Sequence, residues 1–256
     1  MTAHPAQTLL DALQLPQQAR LEQRIPKKLL LENSAATAAD KRLLNDAIEE
    51  IRWLAALKPH TIGIPAYHDA IREYLEIAVL AVTLRSDLTP ARQTRLAALI
   101  HRAIPYPLFL LLAGQTPTLS LAHKRRAQNE ADKTVLDGEP LSITPSSTDT
   151  AIKDAFYQSL ALGQQPQTSL YALYQGWITC LEALQVAHRS GNYRLANTAE
   201  QADARRAALA ACAQLEEDIR RLRAQANKEK QLARLVAINQ ELKQLQAALA
   251  AAQQQL

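Results

Sequence analysis

Aromatic side chains are scarce in this chain, and cysteine, glycine and long apolar runs are scarcer still. Aromatics make up only 4% of the 256 residues, so a core of Leu, Ile, Val and Ala is expected. The six glycines are never spaced as a phosphate loop or a dinucleotide fingerprint, which excludes both of those nucleotide cradles. Cys180 and Cys212 fall on apolar stripes of helical segments and are expected as buried, reduced thiols rather than a disulfide framework. The longest greasy stretch, residues 107–113, falls far short of the ~20 residues a membrane-spanning helix needs. The opening Met1-Thr2-Ala3-His4-Pro5 has no basic start followed by an apolar run, so no secretory leader is expected and a cytoplasmic location is. His4, His60, His68, His101, His123 and His188 lie on unrelated segments without zinc spacing, and no serine elbow occurs. No metal and no cofactor is expected.

What remains is ordinary for a water-soluble fold: 48% hydrophobic, 21% charged and a net charge of +4, which permits a nucleic-acid partner without requiring one. Residues 7–15 suit a short amphipathic helix stopped by Pro16. Thr37 and Asp40 have capping-box spacing, and Leu43, Leu44, Ala47, Ile48, Ile51, Leu54 and Ala55 recur at three and four, predicting one helix that ends before Pro59. Residues 61–64 and 73–84 have strand character, the latter apolar on both parities as in a strand covered on both faces. Thr89-Pro90 opens a second helix carrying Leu96, Leu99, Ile100 and Ile104. Residues 108–112 and 118–123 form a hairpin, and a further strand near 134–143 is interrupted at Asp137-Gly138.

The expected fold is therefore α/β, a mixed sheet of about five strands flanked by helices, followed by a helical hairpin and a long C-terminal coiled-coil helix. The expected divisions are 1–23, a short helix and linker; 24–150, the α/β core; 151–192, a helical segment; and 193–256, the long helix.

That tail contains no breaker from 198 to 256 and is rich in strong helix formers. As one helix it would reach roughly 80 Å. Leu215, Ile219 and Leu222 continue one heptad seam, and Leu235, Ile238, Leu242, Leu245 and Leu249 a second, out of phase with the first. The second seam is expected to have no mate within the chain, which predicts self-association or docking to a protein partner.

One pattern suggests a nuclease. Residues 118–124 resemble the strand on which restriction-type nucleases carry an acid two residues before a lysine, the acid to hold a metal and the lysine to orient water. The acid position here is Ala122, so an active enzyme is not expected, and an inactive relative that still binds nucleic acid stays open. Glu73 and Glu76 are the candidate acids for the alternative, a nuclease-like enzyme with a degenerate metal site. Two basic clusters, Arg24, Lys27 and Lys28, and Lys124, Arg125 and Arg126, are candidates for phosphate contact. Neither is interleaved in sequence with stacking aromatics.

The segments Arg24-Ile25-Pro26-Lys27-Lys28, Trp53-Leu54-Ala55-Ala56-Leu57-Lys58-Pro59, Ile100-His101-Arg102-Ala103-Ile104-Pro105-Tyr106-Pro107 and Leu119-Ser120-Leu121-Ala122-His123-Lys124-Arg125, taken in order, resemble the DUF4391 family of bacterial proteins. Lys228-Glu229-Lys230-Gln231 and Asn239-Gln240-Glu241-Leu242 extend the resemblance into the tail. Members of that family resemble accessory genes beside DNA helicases and DNA methyltransferases in restriction-like, phage-defence clusters. The resemblance thus implies a non-catalytic assembly subunit with a helicase, a methyltransferase or DNA as partner. It carries over no catalytic residue.

Overall fold

A computed structural model describes residues 5–34, 37–128, 133–145 and 149–256. His4 and most of the Ser/Thr-rich connector, residues 146–148, lie outside them. The chain divides into two compact units, Met1–Leu181 and Glu182–Leu256.

The first unit opens with α1 (Pro5–Ala12), the edge strand β1 (Arg20–Arg24), α2 (Lys27–Ser34) and α3 (Ala38–Ala47). Thr37 caps α3, its side chain accepting from the Asp40 amide at 3.1 Å. The chain then runs into β2 (Ile48–Leu57), the single turn α4 (Pro59–Ile62), and a small hairpin of β3 (Tyr67–His68) and β4 (Glu73–Tyr74). Next come β5 (Ile77–Leu84), α5 (Pro90–Ala103), β6 (Leu108–Ala113) and β7 (Thr118–Leu121). A second small ladder pairs β8 (Lys124–Arg126) with β9 (Thr134–Leu136), and β10 (Leu141–Ile143) returns to the main sheet. The unit closes with α6 (Thr150–Ser159) and the greater part of α7 (Leu170–Ser190).

The main sheet has six strands in the order β1-β2-β5-β6-β7-β10. Only β5 and β6 run parallel, because α5 carries the chain across between them. Leu80, Val82, Leu108, Leu110 and Leu112 point to one face, into a core shared with α2, α3 and α5. Asp40 on α3 takes a two-pronged bond from Arg95 of α5, both contacts at 2.8 Å. Phe109 points to the other face, where its ring meets Trp177 of α7 at 5.1 Å; the indole N–H donates to the Leu160 carbonyl. Helices thus cover both faces, and each fully buried leucine-class side chain stabilises by about 1.5–3 kcal/mol.

One helical and one strand expectation are corrected. The periodic run after Thr37 is helix only to Ala47; from Ile48 it is strand. Opposite Leu84, Val82, Leu80 and Ala78 of β5 stand Ile48, Ile51, Trp53 and Ala56. Bulges between Ile48 and Glu50 and between Trp53 and Ala55 produce that three-two-three spacing, which imitates a helical stripe. Residues 61–64 are not a strand: Thr61 closes the α4 turn by accepting the Lys58 amide at 2.9 Å, and Gly63 ends it at φ 72°.

The second unit holds the end of α7, α8 (Ala199–Ala226) and α9 (Leu232–Gln253). The single unbroken tail helix is therefore also corrected. It breaks at 227–231 and folds back, so that α9 packs on α8. No glycine or proline is needed, because the Glu229 carboxylate accepts the amides of Lys230 and Gln231, each at 2.8 Å. The mate of the second seam is the first: Ile219, Leu222 and Ile238 are buried, and Leu215, Leu235, Leu242, Leu245 and Leu249 are half-buried. Arg206 pairs with Glu182, and Arg189 with Glu216, joining the end of α7 to α8.

Candidate functional site

Where β7 leaves the main sheet and becomes β8, residues 122–126 place chemically active groups on two sides of the backbone. Ala122 is held at the crossing by Tyr174 of α7, whose hydroxyl accepts the Ala122 amide at 2.9 Å and lies within bonding distance of the Leu108 and Ala122 carbonyls. Burial pushes the Tyr174 hydroxyl well above its ordinary pKa, so it stays a neutral donor and acceptor.

Lys124 turns inward. It is 2% exposed, and its ammonium donates to the carbonyl of His101 at 2.5 Å and to that of Ile104. Burial lowers its pKa to about 7. His101 is fully enclosed; its Nε2 meets the Ser120 hydroxyl at 3.0 Å, and Ser142 donates to Ser120 at 2.9 Å. Its Nδ1 is buried with no hydrogen-bond partner among the described residues. Burial, followed by the neighbouring Lys124 charge, pulls the imidazole down to about 3, so it is neutral. A cleft of about 550 Å³ lined by His101, Arg102, Lys124, Thr134, Leu136 and Glu139 opens beside this chain of polar groups.

On the other side His123 bridges Tyr74, whose hydroxyl is 2.6 Å from Nδ1, and Gln175, whose Oε1 is 2.8 Å from Nε2. With the Gln175 oxygen accepting, Nε2 carries the proton and Tyr74 donates to Nδ1. Tyr171 stacks on Tyr67 with centroids 4.8 Å apart, and the Arg72 guanidinium sits 5.5 Å from the Tyr171 centroid. Arg72 also binds Asp137 through Nε at 3.1 Å; Arg125 Nε is 3.9 Å from the same carboxylate; Arg126 pairs with Glu73 at 2.9 Å. Arg72, Arg125, Arg126 and Asp137 line a second cleft of about 710 Å³.

The residues singled out from sequence separate here. Arg125 and Arg126 are brought together and half-buried at the second cleft. Lys124 is corrected: its ammonium caps helix carbonyls and is withdrawn from any phosphate. Arg24, Lys27 and Lys28 lie by the β1 edge, and none of them lines that cleft. There Arg24 is 3.5 Å from Glu50, Lys28 is 3.5 Å from Glu32, and Lys27 donates to the Ile48 carbonyl. Glu73 and Glu76 do not converge; Glu76 pairs with Lys58 at 2.8 Å. Among the described residues no group of His, Cys, Asp or Glu is arranged to hold a metal ion.

Sequence spacing missed Arg72, Asp137 and the aromatic wall. Three of the seven tyrosines, Tyr74, Tyr171 and Tyr174, gather around His123 from segments a hundred residues apart, and Tyr67 stacks on Tyr171. The one local signal was Tyr171 and Tyr174, three apart and so on one face of a helix.

Fold and site define a mixed α/β protein with helices on both faces of a six-stranded sheet and a long-helix C-terminal end. The chain belongs to the family described as "Domain of unknown function (DUF4391)", whose model matches residues 13–249. Comparison with curated proteins and with solved structures gives no match. Among the described residues no helix is long and apolar enough to cross a membrane.

Proposed function

We propose that this protein is a non-catalytic accessory subunit of a DNA-acting, restriction-like system in the cytoplasm, docking a helicase, a methyltransferase or DNA. One observation carries the reading. At the strand end where a nuclease needs a metal-binding acid and a water-orienting lysine, the acid position is Ala122 and the Lys124 ammonium is taken by two helix carbonyls. That geometry supports a structural use of the segment over hydrolysis. The α8–α9 hairpin supplies the docking element. Its Leu232 and Val236 are exposed outside the α8–α9 seam, which suits burial against a protein helix or a second copy in a coiled coil.

The test mixes full-length protein with the helicase or methyltransferase encoded beside it, and with DNA, and follows size-exclusion chromatography with light scattering. Co-elution with one of these partners is expected, together with intact DNA after incubation with Mg²⁺ or Mn²⁺. Metal-dependent cleavage, or the absence of every complex, would overturn the proposal.

A further inference from the structure

We infer that the cleft between the Asp69–Arg72 turn and the β8–β9 ladder binds the phosphate backbone of a nucleic-acid strand. The inference rests on the DNA-docking reading above and gives it a site. Among the described residues, three guanidiniums, Arg72, Arg125 and Arg126, line this cleft with one carboxylate, Asp137, and Glu73 pairs with Arg126 beside it. Such a lining favours an anion, and guanidinium forks match phosphate oxygens in pairs. Among the described residues, the bonds to Asp137, Glu73 and the Arg126 carbonyl occupy only part of the five donors each guanidinium carries.

The walls are built in advance. Asp69 accepts the amides of Ile71 at 2.7 Å and Arg72 at 2.5 Å, and its carboxyl is held down to about 2 by Tyr67 and by those amides. The Arg126 amide donates to the Ile71 carbonyl at 2.8 Å, tying the turn to β8. Arg72 is clamped between Asp137 and the Tyr171 ring, so its orientation is set before any ligand arrives. The Arg126–Glu73 pair is solvent-accessible, and such pairs contribute little, so a phosphate can replace the carboxylate at small cost. A strand fits better than a lone phosphate for two reasons. The cleft volume of about 710 Å³ far exceeds one phosphate group. Ile71, 53% exposed, also offers apolar surface to a sugar or base.

Fluorescence anisotropy with short labelled single- and double-stranded oligonucleotides at low salt tests this on the full chain. Arg125→Ala with Arg126→Ala is expected to weaken binding by about tenfold or more, and to reduce the salt slope of a single strand by about 1.4 for two lost contacts. Lys41→Ala with Arg42→Ala, exposed on α3 and outside the cleft lining, is expected to leave it unchanged. Circular dichroism confirms folding, and Arg125→Lys with Arg126→Lys, which keeps the charge, is expected to restore part of the affinity. Equal binding by wild type and the Arg125/Arg126 double variant overturns the inference. So does displacement by inorganic phosphate or ATP with no oligonucleotide binding, which would assign the cleft to a small phosphate ligand. A wild type that co-elutes with the helicase or methyltransferase but binds no oligonucleotide sinks the cleft and spares the accessory reading. Strong oligonucleotide binding with no protein complex does the reverse for protein docking.

Discussion

Lys124 Nζ lies 2.5 Å from the carbonyl oxygen of His101, so a β8 side chain closes the C-terminal end of helix α5. The last carbonyls of a helix have no partner within it, and the Lys124 amine donates to them whether protonated or neutral. Lys124→Met fills the space but leaves the carbonyls of His101 and Ile104 unsatisfied. A loss of about 2–4 kcal/mol is expected in urea unfolding. The loss depends on pH. The folded pKa of about 7 lies below the ordinary lysine value of 10.5, so between those values the unfolded chain holds a proton that the folded chain lacks. Stability from this group therefore rises with pH across that window, by at most about 1.4 kcal/mol per unit. The wild-type advantage over Lys124→Met should be smallest at and below neutral pH and grow toward pH 10; a flat difference would contradict the assignment.

His101 acts on the acid side. Its folded pKa of about 3 lies below the ordinary histidine value of 6.5, so as pH falls through that interval the unfolded chain takes up a proton that the folded chain refuses. Stability is complete above the upper value and is lost toward the lower. His101→Gln can keep the contact to Ser120 without titrating. Thermal melts at several acid pH values should show the variant gaining on wild type as pH drops.

Tyr174→Phe removes one hydroxyl that serves Ala122 and Leu108 at once. Packing is preserved, so the expected loss of about 1–3 kcal/mol comes from the buried amide and carbonyls left behind. Denaturant midpoints measure it. Hydrogen exchange should rise first at the Ala122 amide.

Ile238→Asp places a carboxylate in the α8–α9 contact, where Ile238 is 7% exposed. A loss of about 3 kcal/mol or more is expected for the second unit. Amide exchange should accelerate across α8 and α9 while β5 and β6 keep their protection. Equal acceleration in both units would show that they unfold together.

Where sequence and structure agree, the local pattern and the tertiary need coincide. Thr89-Pro90 starts α5 because a cap and a first-turn proline act within the helix itself. β5 was legible because both of its faces are buried and both parities are apolar. The misreadings arise where tertiary geometry produces a misleading period or supplies a hidden stop. Two bulges gave β2 a helix-like spacing, and Glu229, itself a good helix former, ends the tail helix through side-chain bonds that composition does not reveal. Polar β1 escaped notice because its five residues are all exposed on an edge. At the site, Arg125 and Arg126 stood out as a basic run, whereas Lys124 belongs to the same run and has the opposite fate. Strand parity does not separate it, because Arg126 shares that parity; the position of the α5 carbonyls explains its burial.

The two bulges also decide how β2 tolerates changes in length. Each holds one residue beyond what its neighbour requires, Glu49 in the first and Leu54 in the second. Excising Glu49 would leave Ile48 and Ile51 two positions apart, the ordinary repeat of a pleated strand, still aimed at α3 and α5. A single excision within β6, which has no such slack, would rotate Leu108 or Leu112 out of one layer and into the other. Indels should therefore be survivable at the bulges and ruinous one or two strands away.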